Sequence, residues 1–154
     1  MTNPFTEPET AYLSGQSLGR LSTIGPDGEP HVRPVGFRLN DDGTIDIGGP
    51  ANAASRKYRN IQADPRVSFL VDDMTAPDDP DAVRPGWGRG VEVRGRAEFV
   101  KGRMHIGEGY FSDDLIRIRP VRVISWHLDP AGPDQHARTV APPDTGALGS
   151  VSAG

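Results

Sequence analysis

The chain contains no cysteine. That absence excludes disulfides, thiolate zinc sites, iron–sulfur clusters and a cysteine nucleophile together. Lysine is almost missing too. Lys57 and Lys101 are the only two among 17 basic residues, so a lysine in a suggestive setting carries weight. Positive charge is not in excess: the formal net charge is −4, which excludes a general nucleic-acid binder. No apolar run approaches the ~20 residues that span a bilayer. The start, Met1-Thr2-Asn3-Pro4-Phe5-Thr6-Glu7, has neither a basic n-region nor an apolar h-region. A soluble, cytoplasmic protein without a membrane partner is expected. The four histidines, His31, His105, His127 and His136, form no pair at metal-ligand spacing, so no metal site is expected. A nucleophile elbow, a phosphate-binding Walker loop and a dinucleotide fingerprint are all missing.

What is plentiful is Gly and Pro, 19 and 15 of 154 residues, roughly a fifth of the chain where the average is about 12%. So many breakers exclude a helical bundle. Thr6-Glu7-Pro8-Glu9 reads as a capping box that opens a short helix to about residue 13. Strands are expected at 18–24, 31–39 and 44–47, joined by the tight turns Pro26-Asp27-Gly28 and Asn40-Asp41-Asp42-Gly43. Ser55 caps a helix that Asp64-Pro65 stops. Further strands are expected at 67–71 (an apolar run, read as buried on both faces), 90–100 and 116–128. Pro120 should sit at a bulge or an edge. Residues 72–86 form an acidic, Pro-rich loop, and 101–112 is ambiguous, with room for one helical turn. The domain therefore runs over 1–129, and 130–154 reads as a largely disordered Pro/Gly/Ala-rich tail. Six strands without a βαβ rhythm predict a mainly β fold, a small antiparallel barrel of Greek-key type with short peripheral helices.

The feature richest in chemistry is Ser55-Arg56-Lys57 at a helix start. Unpaired N–H groups, a positive dipole end, a hydroxyl, a guanidinium and an ammonium together suit a phosphate. The same spacing also describes an ordinary N-cap followed by a solvated basic face. Arg33 and Arg38, five apart on one strand, face opposite sides, so one of them can point into a ligand groove. Pro34 and Gly36 between them suit an edge strand whose backbone approaches something flat. Gly48-Gly49-Pro50, between a strand and the basic helix, lets a polar ligand lie against bare backbone, or is a plain turn. Trp126 and Trp87 are the only tryptophans, and Trp126 reads as core, interface or a stacking partner.

In order and spacing these pieces resemble the flavin-binding split-barrel family typified by pyridoxamine phosphate oxidase. The carriers are Arg33-Pro34-Val35-Gly36-Phe37-Arg38, Ser55-Arg56-Lys57, Asp64-Pro65-Arg66-Val67-Ser68, Gly95-Arg96-Ala97-Glu98 and Trp126. Leu18 to Gly28, Thr44 to Gly49, Arg89 to Gly95 and Ile116 to Pro120 resemble the branch that uses the deazaflavin coenzyme F420, in the subgroup with reductases of tetracycline-type antibiotic biosynthesis. The resemblance implies a six-stranded split β-barrel, a homodimer with cofactor sites at the interface, and a small-molecule substrate. It implies hydride transfer from reduced F420 to an activated C=C bond of a conjugated or aromatic substrate such as a polyketide. An FMN-dependent oxidase or reductase, or a non-catalytic flavin- or haem-binding module, is the alternative. Carried over residue by residue, the cofactor phosphate falls to Ser55, Arg56, Lys57 and Asn60. The ring falls to backbone of Pro34, Val35, Gly36, Gly48 and Gly49, with Trp126 as a stacking candidate, and Arg33 and Arg38 complete the cofactor-binding set. No catalytic acid or base is assigned; His31, Tyr58 and water are the proton sources considered. The chain departs from the oxidases after its last-strand Trp, where Leu128 to Asp134 lacks their Arg-x-His, so oxidation of pyridoxamine phosphate is disfavoured. Set against the family it resembles, the chain also looks longer in the segment 73–86.

Overall fold

The computed structural model describes residues 3–105 and 109–142. Its elements are α1 (Glu7–Ser14), β1 (Leu18–Ile24), β2 (Pro30–Leu39), β3 (Ile45–Ile47), a 3-10 turn (Asn52–Ala54), α2 (Arg56–Ala63), β4 (Arg66–Met74), β5 (Gly88–Lys101), β6 (Asp114–Trp126) and β7 (Gln135–Thr139). Local chemistry explains most boundaries. Thr6 and Glu9 form the reciprocal capping box at α1, with Pro8 in the first turn. Gly28 and Gly43 take φ of 81° and 85° at the two hairpin turns, where a side chain would be strained. Ser55 caps α2, and Asp64, already extended before Pro65, ends it.

The strands pair antiparallel in the order β3-β2-β1-β4-β5-β6, and β3 returns to β6, closing a six-stranded barrel. Phe37, Ile45, Ile47, Phe69, Val71, Val91, Val93, Ile116 and Ile118 fill the interior, each almost wholly buried. Phe37 meets Phe69 edge to face with centroids 5.1 Å apart. The expected irregularity at Pro120 is present. Register slips so that Arg94 faces Arg122 while Gly95 faces Pro120, and Val121 is the extra residue. The freed Val121 carbonyl accepts from the Val140 and Ala141 N–H groups at 2.8 and 3.3 Å. Among the described residues no helix is long and apolar enough to cross a membrane.

Two expectations differ from what is found. A seventh strand, β7, stands where a featureless tail was expected; it pairs with β6 from Trp126 back to Arg122. It occupies the same edge of β6 that β3 uses further back, at Ile116 to Ile118. Arg138 of β7 reaches the buried Glu9 carboxylate and the Pro4 carbonyl. Residues 143–154 of the expected tail lie outside the described residues. β4 is not buried on both faces: Val67, Phe69 and Val71 point inward while Ser68 and Leu70 are half-buried on the outer face. The segment 101–112, which the sequence left ambiguous, shows no helical turn among its described residues.

Candidate functional site

The 3-10 turn and α2 place the basic residues. Asn52 anchors the turn: its side-chain amide donates to the carbonyls of Ile47 at 3.3 Å and Asp114 at 2.8 Å, and its N–H donates to Ser112 Oγ. Ser55 donates its hydroxyl proton to the Asn52 carbonyl at 2.6 Å and accepts from the Tyr58 N–H. The Ser55 hydroxyl is thereby spent on holding the helix start. α2 then carries Arg56 and Lys57 to the mouth of a pocket of about 590 Å³, lined by Thr23, His31, Val32, Arg33, Ser55, Arg56 and Lys57.

Lys57 is half-buried in this pocket. Burial, and then the neighbouring Arg33 guanidinium, lowers its ammonium pKa below the ordinary lysine value. Among the described residues no carboxylate lines the pocket or pairs with Lys57. A half-buried cation without an internal partner is partly desolvated and gains most when an anion completes it. The other lysine contrasts with it: Lys101 is exposed, paired with Asp114, and its pKa is raised, first by that hydrogen bond.

Asn60 is buried one turn along α2 and donates to Thr23 Oγ1 and His31 Nδ1, both at 2.9 Å. Its amide protons are therefore committed to β1 and β2. Because Asn60 supplies the proton to Nδ1, His31 carries its own on Nε2, which reaches Glu29 Oε1 at 3.0 Å. His31 is thus oriented from both sides at the pocket rim.

β2 borders the pocket with a partly free edge. It pairs with β1 from Pro30 to Gly36 and, on its other edge, with β3 only at Phe37, Arg38 and Leu39, so that other edge from Pro30 to Gly36 has no neighbouring strand among the described residues. Arg33 and Pro34 are exposed there, and Val35 is buried beneath. Gly48 and Gly49 form a thin wall after β3. A Cβ on Gly48 would fall 2.9 Å from both Met104 Sδ and the Phe111 ring. One on Gly49 would stand 3.4 Å from Asn52 Oδ1 and 3.8 Å from Lys57 Nζ.

Of the expected set, Arg33, Ser55, Arg56 and Lys57 line this pocket, Pro34, Val35, Gly36, Gly48, Gly49 and Asn60 are outside its lining, and Arg38 and Trp126 have other surroundings. Arg38 binds the fully buried Asp46 at 2.8 Å, beside Arg117. Burial alone would raise the Asp46 carboxyl, but hydrogen bonds from Arg117 and Arg38 hold it below the ordinary carboxylate value. Arg33 and Arg38 do face opposite sides, as their spacing requires. Trp126 ends β6 opposite Gly90 and borders a different hollow, with Thr6, Glu9 and His136. The local sequence does not mark Thr23 or Asn52, since each acts through partners from another element; Glu29, two residues from His31, is marked only by that spacing. The functional candidates that converge are Arg33, Arg56 and Lys57 as cations, with Gly49 and the β2 edge as backbone.

The chain matches the family described as "Pyridoxamine 5'-phosphate oxidase" over residues 5–127. It is 37% identical over 145 residues to the 5a,11a-dehydrotetracycline/5a,11a-dehydrooxytetracycline reductase of Streptomyces rimosus subsp. rimosus, spanning 93% of this chain and 98% of that protein. A solved structure described as an F420 reductase is 25% identical with a TM-score of 0.55, covering 77% of this chain and 98% of the other. A conserved hypothetical protein of Mycobacterium tuberculosis is 28% identical with a TM-score of 0.61, covering 84% and 89%. With the barrel, the capped basic helix and the free β2 edge, these likenesses lead to one conclusion: the chain belongs to the pyridoxamine 5'-phosphate oxidase family.

Proposed function

We propose that the protein is an F420-dependent oxidoreductase that reduces an activated C=C bond of a small conjugated substrate such as a polyketide. The observation that carries this reading is the partnerless, half-buried Lys57 in a pocket with Arg33 and Arg56. The donor set fits the phosphate of a phosphate-bearing cofactor, and the free edge of β2 fits the polar rim of a flat ring. The F420 reductase among the solved structures supports the deazaflavin over FMN, and the S. rimosus reductase supports the reduction of a tetracycline-type substrate.

When bound, reduced F420 supplies the hydride. The chain's own residues bind and orient. Lys57 and Arg56 hold the anionic group, while Ser55 and Asn60 keep the helix start and His31 in place. Gly49, Pro34 and Gly36 leave backbone accessible. Placement of the two reactants and exclusion of water is the main contribution such a site makes. His31, with its proton on Nε2 and an acceptor in Glu29, is the oriented proton carrier at the rim. A homodimer with sites at its interface belongs to the same reading. Leu18 and Val32, 49% and 60% exposed on one outer face of β1 and β2, are apolar surface for a second copy, and sedimentation tests it.

Spectroscopic titration with F420 and with FMN, side by side, tests the function. Saturable binding of F420 and turnover of a conjugated enone are expected. Tight FMN binding without F420 binding refutes the deazaflavin reading, and tight binding without turnover makes the protein a carrier. Lys57→Ala should weaken cofactor binding by about 1.5–3 kcal/mol, the range for a hydrogen bond to a charged group. Unchanged affinity refutes the phosphate assignment.

A further inference from the structure

Among the described residues, one buried side-chain polar atom has no partner. Asn52 is fully buried, and its Oδ1 accepts no hydrogen bond, although the amide nitrogen of the same side chain is used twice. Native structures rarely leave a buried acceptor unmet, and each such atom calls for an explanation. The partnerless donor beside it is Lys57. Both flank the same patch of Gly49, where a Cβ would stand 3.4 Å from Asn52 Oδ1 and 3.8 Å from Lys57 Nζ. An acceptor lacking a donor and a donor lacking an acceptor thus meet across a residue with no side chain.

We propose that Asn52 is a positioning residue for Lys57: when an anion enters the pocket, the ammonium closes over Gly49 onto Asn52 Oδ1 and bridges that amide to the anion. An ammonium has three donors, so it can serve the anion and the amide together. The hydrogen bond to Oδ1 fixes a long side chain that otherwise keeps its rotamer freedom. It also favours the charged form against the burial that depresses it. The charged and titratable groups facing Lys57 are Arg33 and His31 from β2 and Arg56 from its own helix, all cationic or neutral. Nothing among them replaces Asn52 as an acceptor. Gly49 is part of the device, because any side chain there stands between the two atoms. The proposal rests on Lys57 being the anion anchor, and its test separates the two.

The probe is inorganic phosphate, titrated calorimetrically into the full chain and into Lys57→Met, Asn52→Ala, Gly49→Ala and the Lys57→Met/Asn52→Ala double variant. The second readout is the Lys57 Cε resonance in ¹³C-lysine-labelled protein, with Lys101 as the internal control. Asn52→Ala and Gly49→Ala are each expected to weaken phosphate binding roughly tenfold. Each should lower the titration midpoint of phosphate-bound Lys57 while Lys101 stays unmoved, and Asn52→Ala should add nothing once Lys57 is gone. A merely structural Asn52 would shift the melting temperature but not the Lys57 midpoint. If Lys57→Met weakens binding while Asn52→Ala and Gly49→Ala do not, the inference fails and the anchor stands. If Lys57→Met binds as well as the unaltered chain, or if the unaltered chain takes up no phosphate, both fail. If Asn52→Ala does not fold, Gly49→Ala decides, since its new Cβ meets its neighbours at ordinary contact distance.

Discussion

Replacing Arg138 by Ala should destabilise the fold by about 3–5 kcal/mol at neutral pH, the cost of stripping one partner from a buried ion pair. Its partner Glu9 is 1% exposed. Arg138 approaches the two carboxylate oxygens at 2.6 and 3.0 Å, Ser125 Oγ donates at 2.6 Å and the Thr6 N–H at 2.8 Å. Burial by itself would raise the Glu9 carboxyl, but the bonds from Arg138, Ser125 and Thr6 outweigh it and hold the pKa at about 2, below the ordinary value of 4.5. At about 1.4 kcal/mol per unit, that depression is worth about 3 kcal/mol of stability. The folded value lies below the unfolded one. The contribution is therefore complete above about pH 4.5 and is lost as pH falls towards 2. In Arg138→Ala the carboxyl no longer has its cation, so it protonates earlier and the penalty shrinks in acid. Urea unfolding of both chains at pH 7 and pH 3 measures this. A loss below about 1 kcal/mol at pH 7, or a loss equal at both pH values, refutes the reasoning.

Other perturbations have equally definite outcomes. Asp46→Leu leaves Arg38 and Arg117 without the carboxylate they share and should cost about 3 kcal/mol in chemical denaturation. Thr6→Ala removes the capping box of α1 and should cost about 1 kcal/mol, read from the same transitions. Above pH 8, where phosphate charge is constant, anion binding should weaken as pH rises through the lowered pKa of Lys57, earlier than for an ordinary lysine, because the charged form is the one that binds. Calorimetry across pH 8–11 follows it, and a flat profile counts against Lys57 as the anchor.

The strands that alternate strongly and end in turn chemistry were legible in the chain itself. β1 falls on the expected 18–24, and α1 and α2 lie within a residue or two of their capping signals. β7 was not legible for a physical reason. Gln135-His136-Ala137-Arg138-Thr139 has no inward apolar alternation; it is held by one ladder on β6 and by Arg138, whose partner Glu9 lies 129 residues away. β4 misled in the opposite sense, since an apolar run does not say how many faces are covered. The basic cluster of the site was readable because Ser55, Arg56 and Lys57 are neighbours at a cap. The commitment of Asn60 to Thr23 and His31, and of Arg38 to Asp46, depends on strand pairing that spacing does not encode. Asn52 escaped notice because its partners, Ile47, Ser112 and Asp114, meet only when β3 closes onto β6.

The free edge of β2 has a cost that ligand binding does not describe. A row of unpaired backbone groups is a template on which a foreign strand can add, and crowded solutions offer many such strands. Two residues at this edge blunt that hazard. Pro34 is paired with β1 at Arg20, so the N–H it lacks is missing from the outward side, where a strand tolerates proline. Arg33 beside it is exposed and charged. An incoming peptide meets a gap in the donor row and a charge to desolvate, whereas a small rigid ring needs only a few backbone contacts and no continuous ladder. On the proposed reading the edge thereby discriminates by length: a compact guest is admitted and a polymer refused. Pro34→Val would restore the donor missing at that point of the row, and the variant should aggregate faster than the unaltered chain.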